Sequence, residues 1–162
     1  MMKSLLYSIL LLFFTQSSYA TSLIGRLGIG TTNQVATGIS AISMKLQRNR
    51  KFGIGGIFGV DSSTDSSTYA IGAKTYHLIY DEPQLNFYSS FTAIMFTYND
   101  TAGDTKNGYQ AEGSFGSEFS FQGLESVGFS FEFGLGLIKN SDGSSFKTVG
   151  HHMLQSAVHF YL

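Results

Sequence analysis

The sequence contains no cysteine and no tryptophan, and it has a single proline. Without cysteine, a disulfide-stapled fold is excluded. Charged residues are also scarce, since they make up 13% of the chain against about 25% in an average soluble domain. The net charge of −1 offers no basic patch of the kind that binds nucleic acid, so we expect no nucleic-acid partner.

Glycine and aromatic residues are abundant where charge is missing. The 162 residues include 19 glycines, 15 phenylalanines and 9 tyrosines. An aromatic fraction of 15% argues against a disordered chain. A helical bundle favours alanine, leucine, glutamate and lysine instead. The length suits one domain.

Residues 1–20 have the pattern of a secretory signal peptide. Lys3 supplies the positive start, residues 5–14 form the apolar stretch, and small residues precede a cleavage point after Ala20. This stretch is too short for a membrane-spanning helix, which needs about 20 residues. A retained interfacial anchor is the alternative. We therefore expect export of a single domain that covers residues 21–162.

Beyond residue 20, apolar residues alternate with small or polar ones, which predicts β-strands. In residues 127–137, valine, phenylalanine and leucine occupy one parity, and glycine, serine and glutamate occupy the other. The apolar parity changes within residues 69–80, which indicates a bulge or a different register. The predicted strands have the length of a tilted strand that crosses a bilayer, about 9–11 residues. They cover residues 22–30, 38–47, 52–61, 69–80, 85–96, 109–121, 127–137 and 153–162.

The connections between these strands alternate in length. The first, third, fifth and seventh are long and polar, whereas the second, fourth and sixth are short. Outer-membrane barrels have long outer loops and short periplasmic turns. The alternation therefore predicts an eight-stranded antiparallel up-and-down barrel with both termini on the periplasmic side. The long connections are residues 31–37, 62–68, 97–108 and 139–152, and the short ones are 48–51, 81–84 and 122–126.

A soluble barrel turns its apolar parity inward, whereas a membrane barrel turns it outward into lipid. The interior of eight strands is barely wide enough for side chains, and many phenylalanines would overfill it. Glycines on the opposite parity leave room for long polar side chains. The apolar parity therefore predicts a lipid-facing surface. It carries Phe52, Phe58, Phe87, Phe91, Phe115, Phe119, Phe121, Phe129, Phe131, Phe133 and Phe160.

The charges within the strands fall on the parity opposite to the apolar one. Three are positive and three are negative, and a buried charge without a partner is costly. The pattern predicts an interior polar network of paired lysine or arginine and glutamate that plugs the barrel, with a narrow pore as the alternative. Its members are Arg26, Lys45, Lys74, Glu112, Glu118 and Glu132.

These features together resemble the small eight-stranded bacterial outer-membrane β-barrels of the OmpA and OmpX type. The resemblance covers residues 21–162 and is strongest in the last strand, where apolar residues alternate up to the end of the sequence. In this family such a strand is the assembly signal for the barrel-insertion machinery, and it usually ends in phenylalanine. Here it consists of Leu154, Ser156, Val158, Phe160 and Leu162.

The resemblance implies a bacterial outer-membrane location, with outer-membrane lipids and lipopolysaccharide as partners and a monomeric state. An aromatic girdle is expected at the membrane interfaces. Because tryptophan is missing, tyrosine and phenylalanine have to form it. The tyrosines near strand ends are Tyr69, Tyr80, Tyr88, Tyr109 and Tyr161.

Few residues of the sequence suggest a catalytic site. His151 and His152 follow Asp142 and Ser144 in the last long connection, and a histidine near a serine and a carboxylate is the pattern of a nucleophilic triad. A polar loop explains the same residues. No spacing of histidine and carboxylate predicts a metal site. We expect a non-enzymatic protein without cofactor that has a structural or surface-interaction role, with a lipid-modifying enzyme as the alternative.

Overall fold

The computed structural model describes residues 23–63, 66–82, 84–99, 103–148 and 154–162. These residues form β-strands, turns and loops. No helix among them is long and apolar enough to cross a membrane. The predicted signal peptide lies outside the described residues. The strands are β1 (Leu27–Thr32), β2 (Ala41–Gln47), β3 (Phe52–Ser62), β4 (Ser67–Glu82), β5 (Leu85–Asn99), β6 (Thr105–Phe119), β7 (Val127–Asn140), β8 (Gly143–Thr148) and β9 (Gln155–Tyr161).

The strands close into an antiparallel barrel with eight positions. Each strand from β1 to β7 pairs with the next, and β9 pairs with both β1 and β7. β8 pairs with Leu135–Asn140 of β7, and β9 pairs with Val127–Glu132 of the same strand. β8 and β9 therefore share the eighth position. The predicted all-β, eight-stranded antiparallel barrel is confirmed.

The register fixes how strongly the strands are tilted. A path through directly paired residues starts at Leu137 of β7. It runs through β6, β5, β4, β3 and β2 to β1, and then to β9. The path returns to β7 at Val127, which is ten residues before Leu137. With a rise of about 3.3 Å per residue and a spacing of about 4.8 Å, this stagger gives a tilt of about 40°, as in other closed barrels.

The change of parity in residues 69–80 comes from a bulge in β4. The register of β4 against β5 shifts between Leu78 and Tyr80. Before the shift Tyr76 lies inside the barrel with 3% of its surface exposed, and after it Tyr80 lies outside with 57% exposed. The bulge that was one of the two explanations for the change of parity is therefore present.

The last long connection is shorter than predicted. β7 continues to Asn140 and β8 begins at Gly143, so most of residues 139–148 are strand. Lys106 Nζ donates to Asp142 Oδ1 at 2.8 Å, and Tyr98 Oη donates to Asp142 Oδ2 at 3.3 Å, which ties the hairpin to its neighbours. Strand pairing beyond the apolar band needs no apolar residues. The alternation of apolar and polar residues therefore does not predict this hairpin.

The first long connection was predicted as an outer loop, and this prediction is wrong. Residues 33–40 turn into the barrel, where Gln34 and Val35 are each 3% exposed and Ile39 is 9% exposed. Gly38, with a φ of 81°, takes the left-handed conformation that lets the segment reverse. Its apolar side chains fill the lumen. The segment joins a buried apolar cluster made of Val35, Ile39, Ala41, Ile57, Ala70, Ile94, Phe96 and Ile138.

The barrel has two distinct ends. The loop end holds residues 33–40 and the β7–β8 turn, and the turn end holds residues 48–51 and 120–126. Between the ends, the outward side chains are apolar and exposed, as the parity of the sequence predicts. They include Ile29, Ile42, Met44, Ile54, Phe58, Ile71, Phe87, Phe91, Met95, Phe115, Phe133, Leu135, Leu137 and Phe160.

The tyrosines suggested for the girdle divide into two groups. Tyr69, Tyr80 and Tyr109 are at least half exposed on the outside. Tyr88 and Tyr161 are 1% and 3% exposed, so their assignment to the girdle is wrong. Both alternate with outward phenylalanines, and strand geometry therefore turns them inward. At the turn end, Phe119 stacks against Phe129 and Phe131 instead, with centroids 5.7 and 5.8 Å apart.

Candidate functional site

The lumen contains five of the six charges that the sequence predicted there. Each side chain is almost fully buried, and each lies on the inward parity of its strand. The five form three clusters along the barrel, each built around one glutamate. They are Lys45, Lys74, Glu112, Glu118 and Glu132.

The cluster nearest the turn end pairs β2 with β6. Lys45 Nζ donates to Glu118 Oε2 at 2.8 Å, and Tyr161 Oη donates to Glu118 Oε1 at 2.7 Å. The Lys45 ammonium also lies 4.6 Å from the ring centroid of Tyr76 and 5.0 Å from that of Tyr88. Cation–π contacts of this kind stabilise a desolvated ammonium. The cluster thus joins β2, β6 and β9 inside the lumen.

The second cluster joins four strands around Glu132 of β7. Lys74 Nζ donates to both carboxylate oxygens, at 2.6 and 2.7 Å. Tyr88 Oη and Ser114 Oγ donate at 2.8 Å, and Ser90 Oγ donates at 3.1 Å. A buried carboxylate with this many donors is fully compensated. The cluster therefore crosses the lumen as a stable bridge.

Among the described residues, Glu112 forms no salt bridge and is held by amides. Gln34 Nε2 and Gln155 Nε2 donate to Glu112 Oε2 at 2.8 and 3.0 Å. Gln110 Nε2 donates to Glu112 Oε1 at 2.5 Å. The pairing of charge with charge that the sequence suggested is thus replaced here by charge-assisted hydrogen bonds.

Gln34 connects the clusters of Glu132 and Glu112, and it was not identified from the sequence. Its Nε2 also donates to Thr92 Oγ1 at 2.8 Å, and its Oε1 accepts from Lys74 Nζ at 2.9 Å. Gln110 Nε2 donates to its backbone carbonyl at 2.8 Å. Because residues 31–37 look like a polar loop, nothing in the pattern placed Gln34 inside. The buried hydrogen bonds hold segment 33–40 in the lumen.

Arg26 lies apart from the network. It precedes β1 at the turn end, and its Nη2 donates to Tyr161 O at 2.7 Å and to Ser126 Oγ at 3.1 Å. The guanidinium thus joins the segment before β1 to β9 and to the turn at residues 120–126. In the adjoining turn, the backbone N–H of Gly123 donates to Glu125 at 2.8 Å and lowers the pKa of that carboxyl group.

His159 is the buried histidine of the lumen. Its Nε2 lies 2.9 Å from Ser43 Oγ, and its Nδ1 has no partner among the described residues. Only 1% of its surface is exposed. No group of three histidine, aspartate or glutamate side chains in the described part of the chain is arranged to hold a metal ion.

The remaining described sequence candidates lie in β9 or directly beside it. Leu154, Phe160 and Leu162 point outward and are 46%, 58% and 77% exposed, and Val158 is half-buried. His151 and His152 lie outside the described residues. Comparison of the chain with protein-family models, curated proteins and solved structures finds no match.

Proposed function

We propose that this chain is a non-enzymatic outer-membrane β-barrel protein with a structural or surface-interaction role, and that its lumen is closed to solutes. The observation that carries the proposal is the polarity of the barrel. Apolar side chains cover its outside, and buried charges lie within it. Apolar surface is unfavourable in water by about 25 cal/mol per Å², whereas a bilayer accommodates it.

Export and membrane insertion depend on two segments of the chain. Residues 1–20 direct export, and the outward residues Leu154, Val158, Phe160 and Leu162 present an assembly signal to the barrel-insertion machinery. Outer-membrane lipids and lipopolysaccharide then surround the apolar band. The tilt of about 40° that the register implies is within the range of transmembrane barrels.

Membrane fractionation tests the location. The full-length chain is expressed in a Gram-negative host, and inner and outer membranes are separated by density. We expect the protein in the outer-membrane fraction, with gel migration that changes on heating. Recovery from the soluble periplasm would contradict the proposal and favour a soluble carrier.

A pair of lysine substitutions tests the orientation of the apolar band. Phe133→Lys places a charge in the middle of the band, where lysine costs about 2–4 kcal/mol, whereas Tyr69→Lys places it near the loop end, where the cost is about 0–1 kcal/mol. We expect Phe133→Lys to reduce the amount of folded protein in the outer membrane and Tyr69→Lys to leave it unchanged. Equal levels for the two variants would argue against a lipid-facing band.

Conductance tests the closed lumen. The two lysine–glutamate bridges and segment 33–40 cross the interior of the barrel, so we expect no steady conductance in planar bilayers. A conductance that changes on Glu112→Gln or Glu132→Gln would support a narrow pore instead. Lipid A from cells that express the chain tests the enzyme alternative. A changed lipid A that returns to normal when His151 and His152 are replaced by alanine would support it.

A further inference from the structure

A cavity of about 410 Å³ lies at the loop end, beyond the polar network. Its size falls within the range of about 300–1,000 Å³ that is usual for small-molecule sites. Ala36 and Thr37 of the inward segment line it, together with residues of β4, β5, β7 and β8. Segment 33–40 therefore closes the lumen below and shapes a separate pocket above.

The polar lining of this cavity, which we call the outer cavity, consists of hydroxyl and amide groups. Thr37, Thr68, Asn99 and Asn140 all contribute to it. Thr37 Oγ1 is buried and has no hydrogen-bond partner among the described residues. Buried polar atoms are normally satisfied, so an unsatisfied hydroxyl beside this cavity is unusual.

One wall of the outer cavity is aromatic and held in place. Phe96 and Tyr98 pack with ring centroids 6.1 Å apart. Tyr98 Oη accepts from Asn140 Nδ2 at 3.2 Å and donates to Asp142 Oδ2 at 3.3 Å. Rings fixed in this way form a pre-organised apolar surface beside the amides.

Lys147 of β8 is the cation among the described residues that line the cavity. It pairs across the sheet with Gly136 of β7, which has no side chain to contact it. The described residues offer it no salt bridge, in contrast to Lys45, Lys74 and Lys106. It also lines a void of about 30 Å³ beside Gln34 and Glu112.

We propose that the outer cavity binds an anionic sugar, meaning a hexose that carries one phosphate or carboxylate group. The hydroxyl and amide groups suit several sugar hydroxyls, the aromatic wall suits the C–H face of the ring, and the single ammonium suits a single anionic group. Such a sugar occurs free in solution or as the headgroup of a membrane glycolipid.

Calorimetric titration of the purified full-length chain in detergent with glucose 6-phosphate tests the site. We expect glucose 6-phosphate to bind saturably and neutral glucose to bind at least tenfold more weakly. Lys147→Gln should weaken binding at least tenfold, and Lys147→Arg should retain most of it. Lys139→Gln is the matched control, because Lys139 lies at the same end on the outward face of β7, and it should change affinity less than twofold.

Absence of saturable binding, or equal losses for Lys147→Gln and Lys139→Gln, would overturn the inference. The titration takes place in detergent, so its failure is separate from failure of the proposed location. Nanodiscs with and without lipopolysaccharide distinguish the source of the sugar. Weaker apparent binding of glucose 6-phosphate in the lipopolysaccharide discs supports a glycolipid headgroup, and unchanged binding supports a free sugar phosphate.

Discussion

Single residues inside the barrel carry charges that are almost fully buried, and Glu132 is the best connected of them. Lys74, Tyr88, Ser90 and Ser114 all donate to its carboxylate. Removing one member of a buried ion pair leaves the other charge uncompensated, which typically costs 3–5 kcal/mol. The network is therefore sensitive to the loss of any one charge.

Glu132→Gln should lower the free energy of unfolding by about 3 kcal/mol, because the Lys74 ammonium keeps its charge and loses its partner. Denaturant titration of the refolded barrel in detergent measures this change. Asp61→Asn makes the same chemical change at an exposed position and should shift the free energy by less than about 0.5 kcal/mol. Similar effects for the two variants would mean that the lumen is solvated.

Two glycines of β6 test the difference between the two faces of one strand. A Cβ atom at Gly116 would lie 2.6 Å from Glu132 Cγ and 2.8 Å from Tyr88 Cζ. A Cβ atom at Gly113, three residues earlier and on the outward face, meets nothing within 4 Å. The glycine at position 116 therefore makes room for the polar network, as the parity of the sequence suggested.

Gly116→Ala should lower the free energy of unfolding by about 1–3 kcal/mol because of overpacking. Gly113→Ala should leave it unchanged or raise it by up to about 1 kcal/mol, since alanine loses less backbone freedom than glycine. Thermal unfolding of both variants in the same detergent compares them. A more stable Gly116→Ala protein would contradict the described packing.

Among elements, segment 33–40 departs most from what its sequence suggests. Its composition is that of a polar loop, yet it fills the lumen, because Gln34 finds buried partners and Val35 and Ile39 find apolar neighbours. Alternation identifies strands and their faces, so the five buried charges and the bulge of β4 could be predicted. The direction that a connection takes depends on contacts distant in sequence, and no periodic pattern encodes it.

Gln34→Ala should speed amide hydrogen exchange across residues 34–40 and lower the free energy of unfolding by about 2 kcal/mol. The reason is that Lys74 and Glu112 each lose a buried hydrogen bond. Exchange followed by mass spectrometry measures the first effect. Ser40→Ala, at an exposed position of the same segment, should leave exchange unchanged. Equal exchange in Gln34→Ala and the unaltered protein would show that the segment is held by other contacts.

At the scale of the whole molecule, the low charge of the sequence follows from the polarity of the barrel. The turns, the loop end and the lumen contain almost all of the described charges, and the middle of the outer surface contains apolar residues. Lys139 reaches the outward face, but only at the loop end of β7. Under the proposed function, this middle band contacts hydrocarbon.

Tryptophan fluorescence tests this contact most directly, because the natural sequence contains no tryptophan. Phe133→Trp places one indole on the outward face, where residue 133 is 61% exposed, and Tyr76→Trp places one in the lumen, where residue 76 is 3% exposed. Both proteins are refolded into vesicles of phosphatidylcholine with brominated acyl chains. We predict strong quenching for Phe133→Trp and little for Tyr76→Trp. Equal quenching of the two, or quenching of Tyr76→Trp alone, would contradict a lipid-facing apolar band around a closed polar lumen.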